Sequence, residues 1–278
     1  LMLAICFYCL RIGGQGLMMH TALTSTARTF PKDAGKAIGV VMLCFSFAQA
    51  ILPPLAVAGI NAFGWRAVWI VGAVVVIGGA VLATALLPKG GDADATIRES
   101  RPVSHPALWR DSKMLLTLPV ILATPFIGTG FFFHQARLAQ EEGWSLSWLA
   151  GWFAAYAIAQ AVTNIVAGPV IDRLGPTRML PVFLIPLAVA MLTLFFGTSS
   201  WTAPVYLILT GVSSGIAATL ATALWVDLYG PERLARVRST VEAGLIIASG
   251  ASPALFGFLL DRGVPLGAQA LGCAIYIA

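Results

Sequence analysis

The sequence predicts an all-α, polytopic membrane protein. Of its 278 residues, 58% are hydrophobic and only 10% are charged, whereas soluble domains carry about 25% charged residues. The charges are grouped between apolar runs of about 20 residues, which is the length that a helix needs to cross the hydrocarbon layer. These runs are continuous and do not alternate as membrane β-strands do. Soluble enzymes, disordered tails and disulfide-linked scaffolds therefore fit the composition poorly.

Nine candidate spans follow one another along the chain, eight complete and one cut short: 1–27, 37–60, 65–88, 114–136, 146–168, 179–198, 203–226, 239–260 and 266–278. Both ends of the sequence lie inside apolar runs, so we expect a fragment that starts and stops within the membrane. The start has no basic segment followed by a cleavage site, and a signal peptide is not predicted.

The basic residues separate two alternating sets of loops. Thirteen Lys and Arg residues lie in the first set: 28–36, 89–113, 169–178 and 227–238. Only three lie in the second set: 61–66, 137–145, 199–202 and 261–265. The positive-inside rule predicts that the first set faces the cytoplasm, in the inner (plasma) membrane of a cell. Topology thus explains the net charge of +5, and no nucleic-acid partner is expected.

The polar segment 89–113 predicts a cytoplasmic linker between two helical bundles, 1–88 and 114–278. A shift of 200 residues aligns Pro31 with Pro231 and Pro53 with Pro253, each pair at the same place in the predicted topology. Two parallel half-bundles produce such a repeat, and carriers built this way place the solute between the halves.

The most specific motif is Gly-Pro-Val-Ile-Asp-Arg-Leu-Gly-Pro-Thr-Arg at 168–178. It resembles the G-x-x-x-D-R-x-G-x-[RK] loop of the major facilitator superfamily, although Pro176 and Thr177 stand where a basic residue is usual. The resemblance implies a cytoplasmic gate formed by five residues: Gly168, Asp172, Arg173, Gly175 and Arg178. Since this copy of the motif lies between helices eight and nine in that family, it also implies that the chain spans about helices four to twelve.

Other likenesses to that superfamily bear on the solute. Residues 11–16, Arg-Ile-Gly-Gly-Gln-Gly, resemble its R-x-x-x-G-x-G region with altered spacing. The segment 46–54 lacks the glycines of proton-driven drug antiporters, which lowers the expectation of drug efflux. Residues near His134 and Asp227 are loosely similar to bacterial monocarboxylate and oxalate/formate carriers.

Arg11 is the one basic residue that belongs to neither set of loops, and it lies inside a predicted span. A buried charge costs several kcal/mol, about 2.5–3.5 even on the lenient insertion scale, so a specific role is expected. A guanidinium binds a carboxylate in a bidentate manner, and Gln15 shares the same helix face. The alternative is a structural arginine that is paired at a helix crossing.

Further polar residues are candidates for binding solute, with an ordinary structural role as the alternative for each. His134 and Gln135 follow a helix interrupted by Pro and Gly, and the alternative is an interfacial anchor. Two stripes at helical spacing either line a pathway or join helices: Tyr156, Gln160 and Asn164, and Tyr206 and Thr210. Glu242 and Asp227 lie near helix ends, where a structural role is favoured over proton coupling.

Together with these residues, the resemblance implies a secondary active transporter for a small, monocarboxylate-like anion. It would work by alternating access with possible proton coupling as a symporter. A proton-coupled efflux carrier is the first alternative, and a membrane-embedded transferase, which needs a cluster of acidic or histidine side chains, is less favoured. We expect a monomer in the bilayer and no enzyme activity. No metal or cofactor is expected, because the histidines lack ligand spacing and no phosphate-binding glycine loop occurs.

Overall fold

The computed structural model describes residues 13–14, 18, 21–22, 25–26, 29, 34–86 and 111–278. These residues contain no β-strand, in agreement with the predicted all-α class. From residue 34 onward the helices are α1 (Ala34–Leu86), α2 (Ser112–Phe133), α3 (Gln135–Glu141), α4 (Leu146–Gly151), α5 (Phe153–Leu174), α6 (Pro176–Met179), α7 (Ile185–Phe196), α8 (Thr202–Asp261) and α9 (Leu266–Ile277).

Five segments in this described part are long and apolar enough to cross a membrane: Leu43–Ala85, Ser112–Phe133, Leu146–Leu174, Thr202–Gly230 and Arg236–Asp261. Two shorter apolar helices accompany them, Ile185–Phe196 and Leu266–Ile277. This composition of long apolar helices agrees with the predicted polytopic membrane protein.

Two segments that were predicted as loops are helical in the structure apart from one break each. The segment 61–66 is a single break within α1 at Gly64 (φ 81°, ψ 160°). The segment 227–238 is helical apart from a break within α8 at Gly230 (φ 71°, ψ 166°). Both glycines adopt a backbone conformation that is essentially closed to other residues, so one residue redirects the chain. After Gly230, the sequence Pro-Glu-Arg-Leu-Ala-Arg combines an N-terminal proline with good helix formers and restarts the helix at once.

Two predicted boundaries also shift. The helix expected over 179–198 begins only at Ile185, and residues 180–184 form turns. The preceding helix, expected to end at 168, continues to Leu174, so most of the predicted loop 169–178 is helical. The chain turns at Gly175, which has a positive φ of 86°. Apolar composition thus identified the spans, while local glycine and proline positions determine where they end.

Helix α8 is the central element of the region 111–278 and packs against α2, α5 and α7. The crossing of α8 with α5 is very close. A Cβ atom on Gly211 or Gly215 would lie 2.5 Å from the carbonyl oxygen of Tyr156 or Gln160, respectively. Small residues permit such an approach between membrane helices, so this pair of glycines fixes how closely the two polar helices meet.

Candidate functional site

A cavity of about 480 Å³ lies between α1, α2, α5 and both parts of α8. This volume falls in the range of about 300–1,000 Å³ that is typical of small-molecule sites. Helix α8 lines it from Thr210 to Trp225, a rise of about 22 Å at 1.5 Å per residue. The cavity is therefore elongated along the helix axes, with chemically different ends.

Hydroxyl groups line one end of the cavity. The Tyr156 hydroxyl lies 3.4 Å from Ser214 Oγ, and these two residues line the cavity together with Thr210 and Thr129. Thr210 donates its hydroxyl hydrogen to the Tyr206 carbonyl oxygen at 2.7 Å, within its own helix. The predicted residues Tyr156 and Thr210 thus meet at one end, joined by Ser214 and by the ring of Phe132.

Charged side chains lie toward the opposite end. Arg238 and Glu242, one turn apart on the second part of α8, both line the cavity and are exposed. Trp225 and Thr124 line it from the first part of α8 and from α2. They are 2% and 8% exposed, and neither Trp225 Nε1 nor Thr124 Oγ1 has a hydrogen-bond partner among the described residues. Buried polar groups usually have a partner, so these two atoms are exceptions within the described part of the chain.

Of the described residues before 87, one polar residue lines this cavity. Gln49 of α1 lines it, and its Oε1 atom is buried without a hydrogen-bond partner in the described structure. Sequence reasoning missed Gln49, Thr124 and Trp225 because each is a single polar group in an apolar run. Arg238 was counted only as a loop charge.

The other two residues of the predicted polar stripe on α5, Asn164 and Gln160, lie where α5 packs against α8. Asn164 Oδ1 accepts a hydrogen bond from Thr219 Oγ1 at 2.7 Å, across the close crossing with α8. Gln160 lies at the same crossing, where its carbonyl oxygen faces Gly215, and its side-chain Oε1 is buried without a partner among the described residues. Only Tyr156 of this stripe lines the cavity.

Three further candidates form a polar group beside the cavity. Gln135 Nε2 donates to the hydroxyl of Tyr206 at 3.2 Å, and Tyr206 is fully buried. His134 Nδ1 lies 2.9 Å from the Gly130 carbonyl oxygen, and its ring stacks on Phe256. These contacts tie the end of α2 to α8 and do not place the three side chains on the cavity wall.

The predicted gate motif lies at the end of α5. Gly168, Asp172 and Arg173 belong to the helix, and Arg178 follows the turn at Gly175. Asp172, Arg173 and Arg178 are exposed, and no ion pair joins them to another described residue.

A hydrogen bond connects this motif to α8. Thr177, which stands at a usually basic position of the motif, donates its hydroxyl hydrogen to Asp227 Oδ2 at 2.8 Å. Asp227 lies three residues before the break at Gly230. The neutral hydroxyl of Thr177 thus connects the turn after α5 to a carboxylate close to the α8 break.

At the other end of the bundle, Glu141 joins α3 to the start of α9. Its Oε1 accepts from Arg137 Nε at 2.8 Å, and its Oε2 accepts from the backbone N–H of Leu266 at 2.7 Å. Because Leu266 is the first residue of α9, the carboxylate satisfies a free N–H at a helix start. Partial burial, and secondarily the charge of Glu141, raise the pKa of the neighbouring Glu142 above its usual value.

Arg11 and Gln15 lie outside the described residues. The described cavity nevertheless contains both a guanidinium, Arg238, and a carboxylate, Glu242. Of the two residues predicted as weak coupling candidates, Glu242 lines the cavity and Asp227 lies at the α8 break.

Fold and site together define a multi-pass helical membrane protein with a solute-sized cavity between its helices. The family model described as Major Facilitator Superfamily matches residues 1–153 and 138–277, so the chain belongs to this superfamily of membrane transporters. Membership indicates a transporter rather than an enzyme. Among curated proteins, none matches the chain.

Proposed function

We propose that the protein is a secondary active transporter for a small, monocarboxylate-like anion. The observation that carries this proposal is the cavity of about 480 Å³, which combines the guanidinium of Arg238 with the hydroxyl-bearing residues Tyr156, Thr210 and Ser214. A guanidinium remains charged at any physiological pH and binds carboxylates in a bidentate manner. Within the described part of the chain the guanidinium of Arg238 has no ion-pair partner.

Proton coupling follows from Glu242 in this proposal. The ionisable side chains on the described cavity wall are Arg238, Glu242 and Tyr156. An ionised Glu242 repels an anionic solute and competes with it for Arg238, whereas a protonated Glu242 does neither. One proton would therefore accompany the anion, which makes the carrier a symporter.

The proposal also includes the arrangement in the membrane. The bundles 1–88 and 114–278, joined by the linker 89–113, would rock about the cavity in a monomer. The loops 28–36, 89–113, 169–178 and 227–238 would face the cytoplasm, in the inner (plasma) membrane. Asp172 and its neighbours, exposed at the end of α5, would then close the cytoplasmic side by pairing across the two bundles.

Uptake by the full-length carrier in proteoliposomes tests this function. Radiolabelled lactate and butanoate should enter faster when the outside is made acidic, and a protonophore should abolish the acceleration. Protein-free liposomes control for diffusion of the protonated acids. Uptake equal to that of protein-free liposomes for every carboxylate tested would contradict the proposed function. Uptake that is insensitive to the proton gradient would contradict the coupling alone.

A further inference from the structure

A further cavity, larger than the first, lies on the opposite face of α2. Its volume is about 650 Å³, and its walls are α2, the second part of α8, and α9 with the turn before it. Helix α2 lines the first cavity with Pro125 and Gly128 and the larger one with Ala123 and Phe126, which lie on opposite sides of a helix. We call the larger cavity the α2–α9 groove. Helix α2 thus separates this groove from the proposed solute site.

The α2–α9 groove is lined almost entirely by apolar surface, with Tyr276, Gln269 and Cys273 as its polar side chains. The Tyr276 hydroxyl donates to the Pro119 carbonyl oxygen at 2.9 Å, and the Gln269 amide nitrogen donates to the Val264 carbonyl oxygen at 2.9 Å. Gln269 Oε1 has no partner among the described residues but is enclosed by protein, and a thiol forms only weak hydrogen bonds. The groove therefore suits a hydrocarbon better than a polar ligand.

The groove covers one half of a membrane span. Along α8 it extends from Ala248 to Leu259, a rise of about 16 Å at 1.5 Å per residue. Ala248 is in the middle of the candidate span Arg236–Asp261, and Leu259 is close to its end. One leaflet of the hydrocarbon layer is about 15 Å thick. The groove thus has the length and depth of one leaflet, and the exposed turn 261–263 lies at its polar boundary.

The volume of the groove discriminates between a helix and an alkyl chain as its occupant. A helix about 10 Å across needs about 1,300 Å³ over this length, twice the volume of the groove. An alkyl chain needs only about 200 Å³, since carbon atoms contact one another at about 4 Å. The groove is also open along its side, where Leu255 and Tyr276 are 46% and 58% exposed. A chain can therefore enter from the surrounding lipid.

We propose that the α2–α9 groove binds an acyl chain of a membrane phospholipid. The headgroup lies at the turn 261–263, and the chain follows α8 toward Ala248. Lipid tails are as apolar as the groove, so the preference for this site comes from close packing against walls that already hold their position. The site goes beyond the proposed transport function and does not depend on which solute is carried.

Photo-cross-linking of the full-length carrier in proteoliposomes tests this site. The probe is a phosphatidylethanolamine with a diazirine in the middle of one acyl chain, and mass spectrometry locates the labelled residues. Leu122 and Ala268 of the groove should be labelled several times more often than Ile185, Val189 and Phe196, which are exposed apolar residues of α7 outside the groove. Equal labelling of the two sets would show unspecific lipid contact only and would overturn the proposal.

Filling the groove with a side chain should displace the lipid. Gly272 lines the groove and is exposed, and a Cβ atom there has no described atom within 4 Å. Gly272→Phe should reduce labelling of Leu122 and Ala268 by about fivefold. Gly250→Phe is the matched control, because Gly250 is also exposed with no described atom within 4 Å but lies outside the groove. Unchanged labelling in Gly272→Phe would contradict the site.

The remaining outcomes also decide between occupants. If Gly272→Phe does not fold, Ala268→Phe, at an exposed groove position one turn away, should lower the labelling of Leu122 in its place. A carrier that behaves as a dimer in detergent and whose groove is not labelled would assign the groove to a second copy and overturn the proposal. Groove labelling in a carrier that takes up no carboxylate would support the lipid site while contradicting the proposed function.

Discussion

Helices α1 and α8 are both long apolar helices broken by one glycine in the same unusual backbone conformation, Gly64 and Gly230. The part of α1 after residue 68 differs from α8 in its environment. Every residue of α1 from 69 to 85 is exposed, whereas α8 buries Tyr206, Leu220 and Trp225 at 2% exposure or less. Apolar composition alone therefore does not decide which membrane helix becomes core.

The physical reason lies in the solvent. Lipid tails are as apolar as a leucine side chain, so burial between helices is driven by close packing and hydrogen bonds. Helix α8 has Gly211 and Gly215 for close approach and Ser213 for a hydrogen bond to the Phe183 carbonyl oxygen at 3.3 Å. After Gly64, the side chains that α1 exposes are mainly those of Val, Ile and Ala. A Cβ atom added to Gly72 would have no described atom within 4 Å.

The largest effect should come from the same truncation made in each helix. Leu220→Ala, at a fully buried position of α8, should lower the free energy of unfolding by about 2–5 kcal/mol. Leu82→Ala, at a position 59% exposed on α1, should change it by less than about 0.5 kcal/mol. Unfolding of the full-length carrier in detergent measures both. Equal losses would show that the outer face of α1 is packed against protein, which would break the contrast between the helices.

A smaller effect on stability is expected when a methyl group is added to a glycine in each helix, and the effect should differ in sign between α8 and α1. Gly211→Ala places a Cβ against the Tyr156 carbonyl oxygen and should destabilise by about 1–3 kcal/mol through overpacking. Gly72→Ala meets open space and should be neutral or stabilise by up to about 1 kcal/mol, since alanine is the better helix former. Thermal unfolding midpoints of the two variants measure the difference. A neutral Gly211→Ala would disprove the tight crossing of α5 and α8.

The fold was largely predictable from sequence because membrane spans leave a strong signal. Apolar length located the helices, and the motif at 168–178 led to the superfamily that the family match establishes. The sequence could not predict that the turn in each of these two segments is made by a single glycine. A run such as Asn-Ala-Phe-Gly-Trp-Arg at 61–66 contains the polar and turn residues of a loop, and only the backbone shows that Gly64 alone makes the turn.

The site was predictable only in part. Tyr156 and Thr210 were identified because polar side chains at helical spacing are rare within apolar spans. Trp225 and Thr124 were missed because a helix that is apolar on all sides has no periodicity to show which face lines a cavity. Arg238 was missed for another reason: a charge beside other charges predicts topology, and its place on the cavity wall depends on the helix restarting directly after Gly230.

The smallest difference between the two helices is expected at the breaks themselves. Gly64→Ala and Gly230→Ala each force a side chain into a positive-φ, extended conformation, at a cost of about 1–3 kcal/mol. Neither added methyl group meets a described atom within 4 Å, so the cost comes from the backbone and not from packing. The two unfolding midpoints should therefore fall by similar amounts, although the surroundings of α1 and α8 differ. Gly78→Ala, in open space on α1 without a positive φ, is the control. A loss at Gly230 without one at Gly64 would mean that α1 straightens or bends elsewhere at little cost, because its residues 69–85 are exposed in the described structure and do not hold the break in place.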